Sequence, residues 1–167
     1  MSIQLVRPVS EVRDPLSALE AAAATMEFEF ERVGEGELNI VLPGVWRDIG
    51  LWFTWQSEIS TLQVGAPIDL KASSANAAEA AQLVSMVNER LWIGHFDLWA
   101  ADFNIVYRNA MILPANGLLN GDQAEALLQA ASEAVDRFYP AFNFFIWGGK
   151  TPEDALQASL FETVGNA

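Results

Sequence analysis

The sequence predicts an α+β protein in which helices pack on one face of an antiparallel β-sheet. Some segments place apolar residues at every second position and others at every third or fourth, the periods of half-buried strands and of amphipathic helices. The strand-like segments follow one another across short turns, as antiparallel strands do. With 51% hydrophobic and 11% aromatic residues, the chain has the composition of a protein with a packed core.

The first elements are a helix and a hairpin. Asp14-Pro15 has the form of a helix N-cap followed by the first helical residue, so a helix is predicted from there to about Thr25. Apolar residues then alternate with glutamates, which predicts a half-buried strand with one acidic face; they are Met26, Phe28 and Phe30 against Glu27, Glu29 and Glu31. The turn Gly34-Glu35-Gly36 leads into a second alternating strand that ends at Pro43-Gly44.

Two further strands complete a predicted meander. The first runs from Trp46 to Trp55 and is rich in large aromatic residues. The second runs from Ile59 to Leu70, with a break expected near Gly65-Ala66-Pro67. A helix capped by Ser74 follows and extends to Gly94, with apolar residues at helical spacing.

The remainder of the chain predicts a hairpin and two helices. The hairpin strands are residues 95–100 and 103–113, and a two-residue turn at Asp102-Phe103 would place Asp97 opposite Arg108; a longer loop with another register stays open. In the third helix Pro140 is expected to kink or end the helix. Thr151-Pro152, followed by two acids, predicts the start of a fourth helix.

Length, composition and charge limit the classes of function that this protein can have. The 167 residues fit a single domain over residues 1–167, with an ordered core at about 14–165. The net charge of −13 disfavours binding to nucleic acids and to anionic membranes. No cysteine is present, which excludes disulfides and thiol chemistry. The start of the sequence does not have the pattern of a signal peptide, so we expect a cytoplasmic protein.

No catalytic motif emerges from the sequence. It contains no nucleophile-elbow, phosphate-loop or dinucleotide-binding pattern. The single histidine, His95, precedes Asp97 by two residues, so both side chains point to the same face of a strand, but one histidine and one carboxylate are too few for a metal site. We therefore expect no catalytic residues, no metal and no cofactor. Glu89 and Arg90, at the end of the second helix, either form a polar site or fix the helix end to the sheet.

Six tryptophans are more than a chain of this length usually has, and tryptophan is enriched at interfaces. Trp46 and Trp52 share one phase of the predicted third strand, and Trp99 is expected near them on the other side of the sheet from the helices. That second face needs a cover. A helix of the same chain, a second copy in a homodimer, or a segment of a partner protein would each provide one.

Several separate blocks of the sequence resemble the YbjN family of bacterial proteins, described as sensory transduction regulators. The blocks are Asn88–Trp99, Trp46–Leu51, Phe138–Phe142, Ile146–Lys150 and Glu162–Gly165, and the resemblance extends over roughly residues 14–165. It implies a fold similar to that of type III secretion chaperones, which are small, acidic, often dimeric proteins that hold segments of other proteins. It supplies no catalytic residues.

The primary hypothesis is therefore a non-enzymatic regulator or chaperone-like adaptor that binds an unidentified protein partner through an aromatic and acidic surface that includes Trp46, Trp52 and Trp99. A homodimer is also expected. The alternative is a small-molecule sensor or enzyme with a pocket around His95, Asp97 and Arg108. A third hypothesis is a purely structural or assembly subunit.

Overall fold

A computed structural model of the chain describes residues 14–114 and 118–165, the last three of these by their backbone only. The strands are β1 (Glu29–Gly34), β2 (Glu37–Leu42), β3 (Ile49–Gln56), β4 (Thr61–Lys71), β5 (His95–Leu98) and β6 (Asn104–Ile112). The α-helices are α1 (Pro15–Thr25), α2 (Ala77–Asn88), α3 (Gly121–Ile146) and α4 (Pro152–Gly165), and a short 3₁₀ helix covers Ser57–Ile59.

The six strands form one sheet in the order β1-β2-β3-β4-β6-β5, and every neighbouring pair is antiparallel. Along β2 and β3 buried residues alternate with more exposed ones, so one face of the sheet lies in the core and the other does not. The helices contribute their buried residues to the same core as the buried residues of the strands. The predicted fold class, an antiparallel sheet of a meander plus a hairpin with helices on one face, is confirmed.

Local sequence signals explain where the first and last helices begin. The Asp14 side chain accepts a hydrogen bond from the backbone N–H of Leu16 at 3.0 Å, so it caps α1 as predicted. The Thr151 hydroxyl accepts a hydrogen bond from the N–H of Asp154 at 3.2 Å and caps α4 in the same way. The second helix differs from the prediction, because it begins at Ala77 with Asn76 rather than Ser74 at its N-cap.

Aromatic side chains fix the hairpin of β5 and β6 to the helix layer. Phe96 lies edge-on to Tyr107, with ring centroids 5.6 Å apart, and it contacts Phe138 and Phe142 of α3 at 6.3 and 5.0 Å. All four rings are buried. Edge-to-face packing of this kind adds roughly 0.5–1.5 kcal/mol per pair to the burial of the rings.

Two irregularities were predicted near prolines. The third helix continues through Pro140 to Ile146, so the predicted end of the helix at Pro140 was wrong. Strand β4 also continues through Gly65, Ala66 and Pro67, but its register with β6 shifts between Pro67 and Lys71, directly after the predicted break. Among the helices that the structure describes, none is both long and apolar enough to cross a membrane.

Candidate functional site

The sheet face opposite the core, which we call the open face, is defined by the strand register. Residues directly opposite each other on antiparallel strands point to the same face. One row runs across the whole sheet from edge to edge, through Glu31, Asn39, Trp52, Gly65, Arg108 and His95. No residue of this row belongs to the hydrophobic core cluster, so the row marks the open face from β1 to β5.

Charge is distributed unevenly along the open face. On β1 and β2 the face carries Glu29, Glu31 and Glu37, all exposed, and the one arginine of these strands, Arg32, points to the helix side. There Arg32 forms ion pairs with Asp14 and Glu20 of α1. At the opposite edge the face carries Arg108 and His95 beside Asp97. The β1–β2 end of the open face is therefore purely acidic, while the β5–β6 end contains both signs.

Trp52 lies at the centre of the open face. Its partner on β4 is Gly65, and a Cβ atom at Gly65 would collide with the indole of Trp52. The absence of a side chain at Gly65 thus lets the indole approach the backbone of the neighbouring strand closely. Trp52 is half-buried as a result, and its outer surface remains available on the open face.

Trp46 does not share a face with Trp52, contrary to the sequence prediction, because β3 begins only at Ile49. Trp46 lies in the loop between β2 and β3, and its indole N–H donates a hydrogen bond to the backbone carbonyl of Asp136 at 2.9 Å. Proline has no N–H, so Pro140 leaves the carbonyl four residues earlier, that of Asp136, without its helical donor. Trp46 supplies the missing donor.

The Asp136 carboxylate anchors the same loop. It accepts a hydrogen bond from the backbone N–H of Val45 at 2.9 Å. Burial raises the pKa of Asp136 above its usual range, and the hydrogen bonds that it accepts from the backbone of the loop oppose that rise. Pro140 leaves the carbonyl of Asp136 free, and the hydrogen bonds to Asp136 tie the β2–β3 loop to α3. Trp46 is one of the residues that make this connection, a role that neither periodicity nor composition indicates.

Trp99 follows β5 directly, and its exposed indole lies far from Trp52. Their strands are three strand spacings apart, roughly 14 Å. The hairpin loop is longer than the two-residue turn: the N–H of Phe103 donates to the carbonyl of Trp99, and Asp97 lies opposite Val106 rather than Arg108. The three tryptophans Trp46, Trp52 and Trp99 are thus in three separate places.

Asp97 and Arg108 still meet, diagonally across the hairpin, with 2.9 Å between the carboxylate and the guanidinium. His95 lies 3.5 Å from the same carboxylate oxygen. The buried Nε of Arg108 has no hydrogen-bond partner among the described residues. Two grooves are described, and both are lined by other residues. The described residues contain no group of three or more His, Cys, Asp or Glu side chains placed to hold a metal.

The end of α2 makes a contact with the sheet that the sequence analysis missed. The Asn88 amide donates to the carbonyl of Phe96 at 3.0 Å and accepts from the N–H of Phe96 at 2.8 Å. These are the two backbone groups that a further strand would bind, so Asn88 occupies the outer edge of β5. Glu89 is exposed at the C-cap of α2, and Arg90, which follows the helix, donates a hydrogen bond to the carbonyl of Met86 in α2 at 2.7 Å.

The other sheet edge is different. Strand β1 is the last strand on its side, and among the described residues no backbone or side-chain group bonds to its outer edge as Asn88 does to β5. Five of its six residues are exposed, including Phe30 at 43% and Val33 at 53%. The apolar groove of Met26, Phe28, Leu42, Pro43, Leu128, Gln129 and Ser132 lies on the helix side next to this edge.

Comparison with known proteins assigns the chain to a class. The model of the YbjN family, described as "Putative bacterial sensory transduction regulator", matches residues 15–144. That match covers more than half of the chain, so the protein belongs to the YbjN family, as the resemblance of its sequence blocks indicated.

A solved structure is also similar, the "Crystal structure of YbjN, a putative transcription regulator from E. coli". It is 12% identical in sequence, with a TM-score of 0.49, and the alignment covers 88% of this chain and 93% of that chain. No curated protein sequence gives a significant match to this chain.

Proposed function

We propose that this protein is a non-enzymatic regulator that binds an extended, basic segment of a partner protein along β1. The observation that carries the proposal is the difference between the sheet edges: Asn88 occupies the edge of β5, whereas the described residues leave the edge of β1 unpaired. An exposed edge is a template for strand addition, in which backbone hydrogen bonds provide affinity and side chains provide specificity.

Charge selects the partner. A strand added to β1 would place alternate side chains beside Glu29 and Glu31 on the open face, at the spacing at which opposite charges attract. Lysine or arginine at those positions would be favoured. A second copy of β1 would instead bring glutamates against glutamates, and inward-facing or edge charges of this kind oppose self-association. We therefore choose a basic partner segment over a second copy.

The other face of the same strand defines the remaining positions. Phe28 and Phe30 point to the helix side, where the apolar groove between the strand and Leu128 of α3 lies. Apolar side chains at the alternate positions of an added strand would point toward this side. The preferred segment thus alternates basic and apolar residues.

The family description as a regulator and the closed Asp97–Arg108 ion pair support a non-enzymatic role. They favour it over the alternative of a catalytic or sensory pocket around His95, because the carboxylate beside His95, that of Asp97, is already paired with Arg108. The chaperone-like mode of action, the cytoplasmic location and a homodimer that uses another surface are parts of the same proposal.

The test is a titration with a fluorescent peptide of about eight residues in which lysine and valine alternate. A peptide of the same composition, with its lysines and valines in two blocks, is the control. We expect the alternating peptide to bind more tightly and to slow hydrogen exchange of the β1 backbone amides. Equal affinity of the two peptides, or protection outside β1, would contradict the proposal.

Matched variants locate the charge effect. Glu29→Gln with Glu31→Gln should weaken binding of the alternating peptide by roughly two- to fivefold per residue, because cross-strand charge pairs have that strength. Glu79→Gln with Glu125→Gln makes the same change in net charge at exposed helical positions. If both double variants weaken binding equally, the attraction is a general effect of the net charge and the assignment to β1 is wrong.

Trp52 tests whether the bound segment also extends across the open face. Trp52→Ala should reduce affinity only for a segment that crosses the face, while Trp147→Ala removes an exposed tryptophan from the helix layer as a control. Analytical ultracentrifugation of the unbound protein at several concentrations measures the competing occupant: association that Glu29→Gln and Glu31→Gln strengthen would identify β1 as a dimer edge instead.

A further inference from the structure

A second groove lies on the helix side of the molecule, away from the open face, and it is lined by two arginines that form no ion pair among the described residues. One of them, Arg90, also donates a hydrogen bond to the carbonyl of Met86. It is formed by the segment after α2 and by one side of α3; its lining residues are Arg90, Leu91, Trp92, Ile93, Ala130, Glu133, Ala134 and Arg137. We call it the Arg90–Arg137 groove. The small side chains of Ala130 and Ala134 leave a space of about 200 Å³ there.

The arginines of the described chain divide into two groups. Arg32, Arg47 and Arg108 each form an ion pair with an aspartate. Arg90 and Arg137 are the two described arginines outside the ion pairs, and both line the same groove. In a chain with 22 acidic and 9 basic residues, carboxylates are abundant, so this placement of the two arginines is a specific feature of the groove.

A carboxylate next to Arg137 is available and is used otherwise. Glu133 precedes Arg137 by four residues, the spacing at which helical ion pairs form. Glu133 accepts a hydrogen bond from the Gln129 amide at 2.8 Å, and the guanidinium of Arg137 lies over the ring of Phe138, 4.9 Å from its centroid. The Arg137 guanidinium is thus positioned by an aromatic ring, with its N–H groups free of any carboxylate in the described residues.

A flat apolar surface adjoins these charges. Trp92 is 100% exposed and Ile93 is 57% exposed, although large apolar side chains are usually at least partly covered. Indole rings stack on planar ligands, and arginine forks bind phosphate oxygens in pairs. Glu133 adds a hydrogen-bond acceptor for a hydroxyl or amino group.

From these features we infer that the Arg90–Arg137 groove binds a nucleoside monophosphate, with the phosphate between the two guanidinium groups and the base against Trp92. The inference goes beyond the proposed partner binding, because it concerns another face and a small ligand. The net charge of −13 repels nucleic acids, whose many phosphates extend over a large surface. A single phosphate is held within one groove, and at physiological ionic strength charges more than about 8 Å away are largely screened.

The experiment is isothermal titration calorimetry of the full chain with GMP, guanosine and inorganic phosphate at physiological salt. We expect GMP to bind more tightly than either of the other two, because it alone engages both the arginines and Trp92. No detectable binding of GMP at millimolar concentration would overturn the inference. Equal affinity for GMP and inorganic phosphate would also overturn it, since the base would then have no contact.

Variants locate the site. Arg90→Gln with Arg137→Gln should reduce GMP affinity at least tenfold, whereas Arg47→Gln with Lys71→Gln, which changes the net charge equally elsewhere, should leave it unchanged. Trp92→Ala removes a fully exposed side chain, so it should fold normally and reduce GMP affinity while inorganic phosphate binding persists. GMP affinity that is the same in all three variants would place the ligand elsewhere. Peptide binding at β1 should be unaffected by these changes.

Discussion

The outer edge of a sheet has backbone groups that a further strand can bind, and the two edge strands of this sheet differ in how those groups are protected. In strand β5 the outward backbone groups of Phe96 are bonded to the amide of Asn88, and the ring of Phe96 is buried against α3. Strand β1 has glutamates along the open face, exposed residues on both faces and no comparable side chain bonded to its outer edge among the described residues.

The difference shows that an edge strand can be protected by bonding or by charge, with different consequences. Bonding by Asn88 occupies the N–H and the carbonyl of Phe96, so a partner strand cannot use these two groups. Charge on β1 leaves the donors and acceptors in place and only selects against partners of the same sign. Selectivity of this kind is what a binding edge requires, and the covered edge provides a comparison within the same molecule.

The largest effect is expected at the entrance to β5. Gly94 has φ +71°, and a Cβ atom there would collide with the hydroxyl end of Tyr107. Gly94→Ala should lower the free energy of unfolding by about 2–4 kcal/mol, because left-handed backbone strain and overpacking combine. Urea denaturation measures the loss. Gly149 also has positive φ but has no atoms near its Cβ position, so Gly149→Ala should cost only about 1 kcal/mol.

Removing the cover of the β5 edge should have the next largest effect. Asn88→Ala leaves the N–H and carbonyl of Phe96 without their partner, which should cost about 1–3 kcal/mol and accelerate hydrogen exchange at the Phe96 amide. The variant should also self-associate more than the wild type, since β5 then has a free edge. Asn39→Ala, at an exposed site on β2, is the control; equal effects of both would mean that the Asn88 bonds contribute little.

A smaller effect is expected where the β2–β3 loop is tied to α3. Trp46→Phe removes the donor to the Asp136 carbonyl and should cost about 1–2 kcal/mol. Pro140→Ala restores a helical donor for the same carbonyl, so Trp46→Phe should cost less in that background. A double-mutant cycle measures the coupling. Additive losses would show that the bond to Asp136 does not compensate for Pro140.

The smallest effect concerns the ion pairs that join β1 to α1. The hydrogen bond from Arg32 lowers the pKa of Glu20 below its usual value of 4.5. The stabilisation is present above that value and is lost as the pH falls through the lower, folded-state pKa. Glu20→Gln should therefore flatten the acid limb of the stability curve below about pH 4.5, by less than about 1 kcal/mol. Thermal unfolding against pH measures this, and coincident wild-type and variant curves would contradict it.

The sequence analysis succeeded where the signal was local. The caps at Asp14 and Thr151 each bond to backbone within three residues, and the alternating pattern of β2 fixes which of its residues are buried. It failed where two distant segments meet. The strand predicted from Trp46 begins at Ile49, and the helix predicted to kink or end at Pro140 continues to Ile146. Both regions meet in the hydrogen bond between Trp46 and Asp136, which are 90 residues apart in the chain, so no local pattern indicates it.

For the candidate sites, too, features that are local in the sequence were predicted, and contacts between distant segments were not. The acidic alternation of β1 and the meeting of Asp97 with Arg108 were predicted from spacing, although the hairpin register was not. Asn88 and the Arg90–Arg137 groove were not found, since neither an asparagine at a helix end nor two arginines 47 positions apart constitute a motif.

Periodicity, capping residues and composition by themselves determined that this chain forms helices and an antiparallel sheet, because these signals act within one element. The tertiary structure decided which edge is covered, where each tryptophan lies and which charges remain unpaired. Those properties depend on side chains from different elements that compete for the same neighbours, and only the assembled core determines which of them meet.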